Sequence, residues 1–138
     1  MSEANWSLHP QLANDTAPVG DLALSRVLAI NDADYPWLIL VPRRLGASEV
    51  TDLGDDAARL MTEVASASRA LKLLTQCDKL NIAAIGNIVP QLHVHIVARR
   101  KGDPLWPKPV WGFGPSRRGD IATFARFVAA IREGLGLN

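Results

Sequence analysis

The sequence predicts an α+β fold in which a sheet of short strands packs against two amphipathic helices. Three observations support this prediction. Residues 37–41 form a short apolar run that ends at Pro42, which is typical of a buried strand. Apolar residues recur every three or four positions across residues 52–75, which indicates a long amphipathic helix. Apolar and polar residues alternate across residues 91–98, which indicates a strand with two different faces.

Length and composition narrow the class of protein. A chain of 138 residues suits a single domain over residues 1–138, and 48% hydrophobic residues argue against intrinsic disorder. The net charge of +1 gives no general attraction to nucleic acid or to acidic membranes. The single cysteine, Cys77, excludes an intramolecular disulfide framework and any CxxC motif. No segment reads as a membrane span or a signal peptide, so we expect a cytoplasmic protein with neither membrane nor nucleic acid as partner.

The N-terminal half predicts a hairpin followed by a helix. The stretch through Gly20 reads as an irregular or partly helical lead-in, and residues 22–30 as an extended segment. Residues 31–36 are rich in turn formers, so the strand over residues 37–41 is expected to pair with the segment before it. The helix over residues 52–75 has one apolar stripe, made of Ala57, Leu60, Val64, Ala67, Leu71 and Leu74.

The C-terminal half predicts two strands, a long loop and a second helix. Residues 80–85 and 91–98 read as strands on either side of a turn at Gly86 and Asn87. Residues 101–115 contain four prolines and three glycines, which predicts a loop or tail. Asp120 is expected to cap a final helix over about residues 120–134. The apolar face of that helix would be formed by Ile121, Phe124, Val128, Ile131 and Leu135.

The strand over residues 91–98 carries the residues most suited to chemistry. Its alternation places Leu92, Val94, Ile96 and Ala98 in the core and turns Gln91, His93 and His95 to the other face. Imidazole is either a neutral nucleophile or a protonated donor to phosphate near neutral pH, so the two rings would act in two different charge states. Two alternatives stay open. The pair is either a packed surface feature without function or part of a metal site, which would need a third ligand such as His9, Cys77 or a carboxylate.

Residues 91–97, with the sequence Gln-Leu-His-Val-His-Ile-Val, resemble the motif of the histidine triad (HIT) family, with glutamine in place of the first histidine. Residues 28–43 resemble the first hairpin of that family, and residues 80–85 resemble its strand before the motif. The resemblance implies an antiparallel sheet with one long helix and a C-terminal helix. It places the core at about residues 22–99, before a Pro- and Trp-rich segment over residues 101–115.

The resemblance also implies an activity. Family members attack the α-phosphorus of a nucleotide and form a nucleotidyl-histidine intermediate, so His93 would be the nucleophile and His95 a donor to a non-bridging oxygen. Asn31 would bind the ribose hydroxyls, and Asn87 would lie near the phosphates. Gln91 would support the site without titrating. The family implies a homodimer, and no cofactor or metal is expected beyond Mg²⁺ delivered with the nucleotide.

Several interpretations remain open at this point. The first interpretation is a hydrolase or transferase that acts on dinucleoside polyphosphates, nucleoside phosphoramidates or adenylylated small molecules. The second is a catalytically weak nucleotide-binding module, and the third is a metal-dependent hydrolase. The basic groups at residues 43–44 and 99–101 either collect a polyphosphate or are solvated strand ends. Trp106 and Trp111 either stack on a base, cover the site or dock across a dimer interface.

Overall fold

The computed structural model describes residues 4–114 and 117–137 and confirms the α+β fold. Residues 1–3, 115, 116 and 138 lie outside these ranges. They include both ends of the predicted domain and Pro115 at the end of the predicted loop. In chain order the elements are α1 (Pro10–Asp15), β1 (Ala17–Asp21), β2 (Ser25–Ile30), β3 (Trp37–Pro42), a 3₁₀ turn (Val50–Leu53), α2 (Asp56–Thr75), β4 (Lys79–Ala83), β5 (Val94–Arg99) and α3 (Ile121–Gly134).

The five strands form one sheet in the order β1-β2-β3-β5-β4, and every neighbouring pair is antiparallel. β5 therefore lies inside the sheet, between β3 and β4. An interior strand has both sets of backbone groups paired, so it holds its side chains in fixed directions. This rigidity matters because β5 continues directly from the segment that contains His93.

One face of the sheet packs against the two long helices and forms the main core. The predicted inward row of Leu92, Val94, Ile96 and Ala98 is confirmed, since all four side chains are buried in this core. The partners of this row on other elements include Val27, Ala29, Leu38, Leu40, Leu60, Val64, Leu71 and Ile131. Full burial of each such aliphatic side chain contributes about 1.5–3 kcal/mol, so this layer dominates the stability of the fold.

The opposite face of the sheet is also covered. Leu28, Ile39 and Val41 pack against Leu12 of α1 and the residues before it. Further along the same face, Val97 packs with Tyr35 and Val110. Two segments cover this face of the sheet: the N-terminal lead-in and the segment after β5. As a result, the side chains opposite the main core are enclosed as well.

The N-terminal prediction is partly wrong. The extended segment begins at Ser25 and not at residue 22, and the lead-in contains a further strand, β1, besides the short helix α1. The sequence did not predict this strand because it contains Pro18 and Gly20, and both residue types are unfavourable in the interior of a strand. β1 is an edge strand, where proline is tolerated, and its register with β2 shifts between Pro18 and Gly20.

The helices begin and end close to their predicted positions, with one displaced start. α2 begins at Asp56 and not at residue 52, because Gly54, at φ 57°, separates it from the preceding 3₁₀ turn. The cap of α3 is confirmed, since the Asp120 carboxylate accepts a hydrogen bond from the Thr123 N–H at 2.9 Å. Two predicted core positions are wrong: Leu74 is 44% exposed and Ile121 is 81% exposed. No helix of the described segments has the length and apolarity that crossing a bilayer requires.

Both C-terminal strands are offset from their predicted bounds. β4 covers Lys79–Ala83, and residues 84–85 continue as irregular chain. β5 starts at Val94, so Gln91 and His93 precede the paired part of the strand. The alternation of side chains nevertheless extends back through this segment, because Leu92 is buried in the same core as Val94. The alternation in the sequence therefore predicted correctly that Leu92 and Val94 lie on the core side of the sheet. It did not predict where the backbone pairing of β5 begins.

Candidate active site

His93 and His95 lie side by side on the sheet face opposite the main core. Their ring centroids are 5.0 Å apart at an interplanar angle of 65°, and the residues are 7% and 9% exposed. His95 is held on both sides by backbone pairing, opposite Ile39 of β3 and Ala83 of β4. The two imidazoles are thus brought together on a rigid frame. The segment after β5 contributes to the burial of His95, since the Trp111 ring packs against it, and residues 48–49 and 84–86 lie beside His93.

The hydrogen bond of His93 assigns its ring protons. Its Nδ1 lies 2.7 Å from the backbone oxygen of Gln91. A carbonyl oxygen only accepts, so Nδ1 must carry the proton and donate. In the neutral ring, Nε2 then has a free lone pair. This is the form of histidine that attacks an electrophile such as phosphorus.

The hydrogen bond of His95 assigns the opposite form. The indole Nε1–H of Trp37 donates to His95 Nδ1 over 3.0 Å. An indole nitrogen only donates, so His95 Nδ1 is unprotonated, and the neutral ring carries its proton on Nε2. Burial lowers the pKa of His95 to about 4, with a smaller contribution from the charge that His93 can carry. His95 is therefore neutral at pH 7 and presents Nε2–H as a donor. The protonated donor that the sequence predicted is wrong in its charge state, because burial disfavours the imidazolium.

Two indoles enclose the His95 ring. Trp37 meets it at a centroid distance of 5.8 Å, and Trp111 at 5.5 Å, both edge-on. The two indoles also contact each other at 6.2 Å. Trp111 belongs to the segment over residues 101–115, and its position over His95 is the covering arrangement that the sequence left as one alternative.

Trp106, the other tryptophan of that segment, lies elsewhere. Its ring stacks on the Arg99 guanidinium, whose carbon is 5.7 Å from the ring centroid. Tyr35 contacts the same guanidinium at 5.4 Å. Trp106 thus helps to fix the segment after β5, and the structure gives it no contact with either imidazole of the pair.

Arg99 departs from both interpretations that the sequence left open. It is 1% exposed, so it is neither a solvated strand end nor free to collect phosphate. Its Nε and NH2 donate to the Asp103 carboxylate at 2.7 and 2.9 Å, and its NH1 donates to Asn81 Oδ1 at 2.9 Å. The ion pair lowers the pKa of Asp103, chiefly through these hydrogen bonds. Arg99 therefore anchors the start of the segment that carries Trp111.

The other basic group, at residues 43–44, is also engaged. Arg44 forms an ion pair with Asp56 at 2.8 Å, which ties the end of the hairpin to the first turn of α2. Arg43 lies 3.6 Å from Asp21 and donates to the backbone oxygen of Ala23. Arg100 and Lys101 are exposed.

Gln91 contributes to the site through its backbone. Its side chain turns to the N-terminal segment, where Oε1 accepts from the His9 backbone N–H at 2.8 Å and Nε2 donates to the Ser7 backbone oxygen at 2.9 Å. Its backbone oxygen is the group that orients His93. The amide side chain thus fastens the N-terminal cover of the sheet, and its predicted support of the reaction stays a prediction.

The two predicted substrate-binding asparagines are not brought into contact with the histidine pair. Asn31 donates to and accepts from the backbone of Gly119, at 3.3 and 3.1 Å, and so joins the hairpin turn to the start of α3. Asn87 is exposed in a bend, and its side chain makes no hydrogen bond to any residue that the structure describes. Roles for both residues in nucleotide binding stay predictions.

One small pocket adjoins His93, and a larger cavity lies beyond Trp37. A pocket of about 20 Å³ beside His93 is lined by residues that include Ser48, Glu49 and Gly86. This is about the room that one water molecule needs, so a larger group enters only if the side chains at the rim move. A second cavity of about 170 Å³ is lined by aromatic and aliphatic groups together with Asp32, and Trp37 forms part of its wall. Trp37 therefore lies between this cavity and His95.

A metal site gains no support from the donor groups. Within the described segments, no three histidine, cysteine or carboxylate side chains converge as a metal site requires. Cys77 is buried in the main core, on the other face of the sheet from the histidine pair. The third ligand that the metal interpretation needs is therefore not found among the described residues.

Sequence reasoning missed Trp37 and the partnership of Arg99 with Asp103. An aromatic residue at the start of an apolar strand reads as a core residue, and nothing in the local pattern indicates a bond to a histidine 58 positions away. The spacing of four between Arg99 and Asp103 was available as a signal. At a strand end this spacing does not by itself predict a contact, because it brings side chains together on a helix.

Comparisons with a family model and with solved structures show which proteins this chain is similar to. The family model described as HIT domain matches residues 11–102. A histidine triad protein from Bradyrhizobium japonicum is 56% identical, with 94% of this chain and 98% of that chain covered and a TM-score of 0.91. A histidine triad protein from Sinorhizobium meliloti is 44% identical, with coverages of 97% and 100% and a TM-score of 0.92. One from Marinobacter aquaeolei is 41% identical, with coverages of 95% and 96% and a TM-score of 0.90. A search of curated proteins found no match.

Proposed function

The chain belongs to the HIT domain family, and from this membership and the paired imidazoles we propose that it hydrolyses or transfers nucleotidyl groups through His93. Proteins of this family are generally hydrolases or transferases, and the family fold implies nucleotide-binding chemistry. The observation that carries the proposal is the pair of hydrogen bonds at the two Nδ1 atoms, one to a backbone oxygen and one from an indole N–H. In the neutral rings these bonds leave His93 with a free Nε2 lone pair and His95 with a free Nε2–H.

The proposed reaction proceeds in two displacements at the α-phosphorus. His93 Nε2 attacks phosphorus and forms a P–N bond, while the bond to the leaving group breaks and the leaving group takes a proton from solvent. His95 Nε2–H donates to a non-bridging oxygen and stabilises the charge that develops there. Water or another acceptor then attacks phosphorus, the P–N bond breaks with its electron pair returning to Nε2, and the acceptor's proton passes to solvent.

The surroundings of the pair support a substrate with an apolar, aromatic part. The 170 Å³ cavity is lined by Ile30, Tyr35, Trp37, Leu105, Val110 and Phe113, with the Asp32 carboxylate among them. Such a lining favours a flat base over a charged group, and a carboxylate accepts from hydroxyls. Dinucleoside polyphosphates, nucleoside phosphoramidates and adenylylated small molecules fit this class. We propose that Mg²⁺, where it is needed, arrives with the nucleotide.

A second candidate, a catalytically weak nucleotide-binding module, is favoured by three observations. The pocket beside His93 has room for about one water molecule, and the indole of Trp111 covers His95. Glutamine at position 91 also provides no titrating side chain beside the pair. In this alternative the protein would bind a nucleotide without forming the P–N bond.

Trapping the intermediate separates the two candidates. The protein is mixed with a dinucleoside polyphosphate labelled at the α-phosphorus, quenched in alkali and mapped by mass spectrometry. We expect label on His93 and turnover in the wild-type protein. His93→Ala should lose the label, and its turnover should fall at least about 1,000-fold because the nucleophile is absent.

His9→Ala is the matched control, since His9 lies in the N-terminal segment and its ring accepts a hydrogen bond from the Gln11 N–H. This variant should label and turn over like the wild-type protein. Absence of label and turnover together with measurable AMP binding would support the binding module. Full turnover by His93→Ala would refute the nucleophile. Chelation of metal ions should leave the labelling of His93 by a phosphoramidate substrate unchanged.

We also propose that the protein works as a homodimer in the cytoplasm. β4 is the last strand of the sheet, so its outer edge has no partner strand among the described residues. Ile82 on this strand and Ile85 and Ile88 just beyond it are exposed. An exposed edge with apolar side chains is the kind of surface that pairs with a second copy.

A further inference from the structure

Trp37 connects two parts of the candidate site that are far apart in sequence. It is the first residue of β3 and pairs in register with Val97 of β5, two positions beyond His95. Its indole reaches diagonally across the strand pair, and Nε1 lies 3.0 Å from His95 Nδ1. Trp37 also lines the 170 Å³ cavity. Strand register thus places an indole donor on one nitrogen of His95.

The chemistry of this bond dictates the state of His95. Indole Nε1–H can donate but not accept, so the bond forms only when His95 Nδ1 is unprotonated. His95 has no other hydrogen-bond partner for its ring among the described residues. In the other neutral tautomer, and in the imidazolium, two N–H groups would face each other over this short distance. Both of those states are disfavoured in a buried site, where an opposed donor cannot be satisfied by water.

We propose that Trp37 is a positioning residue, whose indole N–H holds His95 in the neutral form that offers Nε2–H to a phosphoryl oxygen. This inference rests on the proposed function, in which His95 is that donor. The inference adds to the proposed function a residue of a different strand, Trp37, that sets the tautomer of His95. Burial, and to a smaller extent the charge that His93 can carry, lowers the pKa of His95 to about 4, which agrees with a neutral His95 in this arrangement.

Trp111 provides a matched comparison within the same site. Its ring is also edge-on to His95, at 5.5 Å and 67°, against 5.8 Å and 65° for Trp37. Its Nε1, however, is buried without a hydrogen-bond partner among the described residues. Trp37→Phe therefore replaces an indole by a phenyl ring and removes a hydrogen bond, whereas Trp111→Phe makes the same ring replacement and removes no hydrogen bond.

The test is ¹⁵N NMR of the histidine rings in the ligand-free protein. In the wild-type protein we expect His95 to remain neutral from pH 5 to pH 8, with Nε2 protonated and Nδ1 shifted as a hydrogen-bond acceptor. Trp37→Phe should change the Nδ1 shift of His95 and bring its protonation into this pH range. Trp111→Phe should leave the Nδ1 shift of His95 as in the wild-type protein. His93 is the titratable group that faces His95, so its protonation is followed in the same spectra.

The kinetic consequence is measured on the same variants. Trp37→Phe should lower kcat roughly 10- to 100-fold, the usual effect of removing a group that orients a reacting side chain, with a smaller change in KM. Trp111→Phe should change kcat less than Trp37→Phe does. Unchanged His95 shifts and protonation in Trp37→Phe would overturn the proposal, whatever the turnover.

One further measurement covers the case in which Trp37→Phe does not fold. A scalar coupling across the hydrogen bond, between Trp37 Nε1 and His95 Nδ1, is recorded on the wild-type protein. Detection of the coupling supports the proposal, and its absence overturns it. A protein that shows the bond but neither labels nor turns over nucleotides refutes the proposed function alone, since the NMR result then still supports the control of His95 by Trp37.

Discussion

His93 and His95 stand two residues apart on the same face, and their Nδ1 atoms meet opposite kinds of partner. A backbone oxygen accepts from His93, and an indole N–H donates to His95. Each partner is a group with a single hydrogen-bonding capacity, so it leaves its histidine only one neutral tautomer. Two identical side chains thereby acquire different chemistry at the residue scale, one as an attacking lone pair and the other as a donor.

The lowered pKa of His95 predicts that stability falls on acidification. Its pKa is about 4 in the folded protein, against 6.5 for the unperturbed group, so the unfolded state binds more protons between these values. The stabilisation is fully present above pH 6.5 and is lost as the pH falls toward 4. Between pH 7 and pH 5 we expect a loss of about 2 kcal/mol in the free energy of unfolding, measured by urea denaturation.

His95→Gln is the variant that isolates this contribution, because glutamine keeps hydrogen-bonding capacity and does not titrate. The difference in stability between pH 7 and pH 5 should be smaller in the variant than in the wild-type protein by about that amount. Equal pH dependence in both proteins would contradict the depressed pKa of His95.

At the scale of elements, β5 and the segment that follows it act as one unit. The strand ends at Arg99, and the ion pair of Arg99 with Asp103 folds the following chain back over the sheet. Both side chains are almost fully buried, and Tyr35 and Trp106 contact the guanidinium. The position of Trp111 over His95 therefore depends on an ion pair at the end of the strand that carries the histidine.

Removing one member of this ion pair should destabilise the protein strongly. Asp103→Asn leaves the Arg99 charge buried without its carboxylate, which typically costs about 3–5 kcal/mol. We expect this loss in urea denaturation, together with faster hydrogen exchange or proteolysis in residues 100–114. Asp21→Asn is the matched control, because the Asp21–Arg26 pair is 42% and 34% exposed. Its effect should be below about 1 kcal/mol, since water screens that pair. Similar losses in the two variants would contradict the anchoring role of Arg99.

At the scale of the whole molecule, segments pack on both faces of the sheet, and each of its edge strands, β1 and β4, pairs with a single strand among the described residues. The long helices cover one face, and the N-terminal segment and the segment after β5 cover the other. The histidines lie on the second covered face, where the Trp111 ring packs against His95. The outer edge of β4 has no partner strand among the described residues.

A charge on this edge should dissociate the proposed homodimer. Ile82→Glu places a carboxylate on β4, where the wild-type side chain is 49% exposed, and we expect a monomer in light scattering after size-exclusion chromatography. Ile121→Glu is the control, since Ile121 on α3 is 81% exposed and lies outside the sheet. It should behave like the wild-type protein. A monomeric wild-type protein would refute the homodimer, and a dimer that survives Ile82→Glu would refute this edge as its interface.

Prediction from sequence succeeded where a property repeats locally. The apolar stripe of α2, apart from Leu74, and the facing of His93 and His95 follow from the periods of helices and strands, and the Asp120 cap follows from its residue type. It failed where a local signal was atypical. β1 contains a proline and a glycine, and the resulting strand is stable only because it lies at an edge beside β2.

The sequence by itself determined the order of most elements and the type and facing of the two histidines. Only the tertiary structure decided which nitrogen of His95 carries its proton, where Arg99 lies, and that Asn31 joins Gly119 across 88 positions. The physical reason is that periodicity is set by bonds between near neighbours in the chain. The partner of a buried polar group is instead set by strand register and packing, which bring together residues that no local pattern relates.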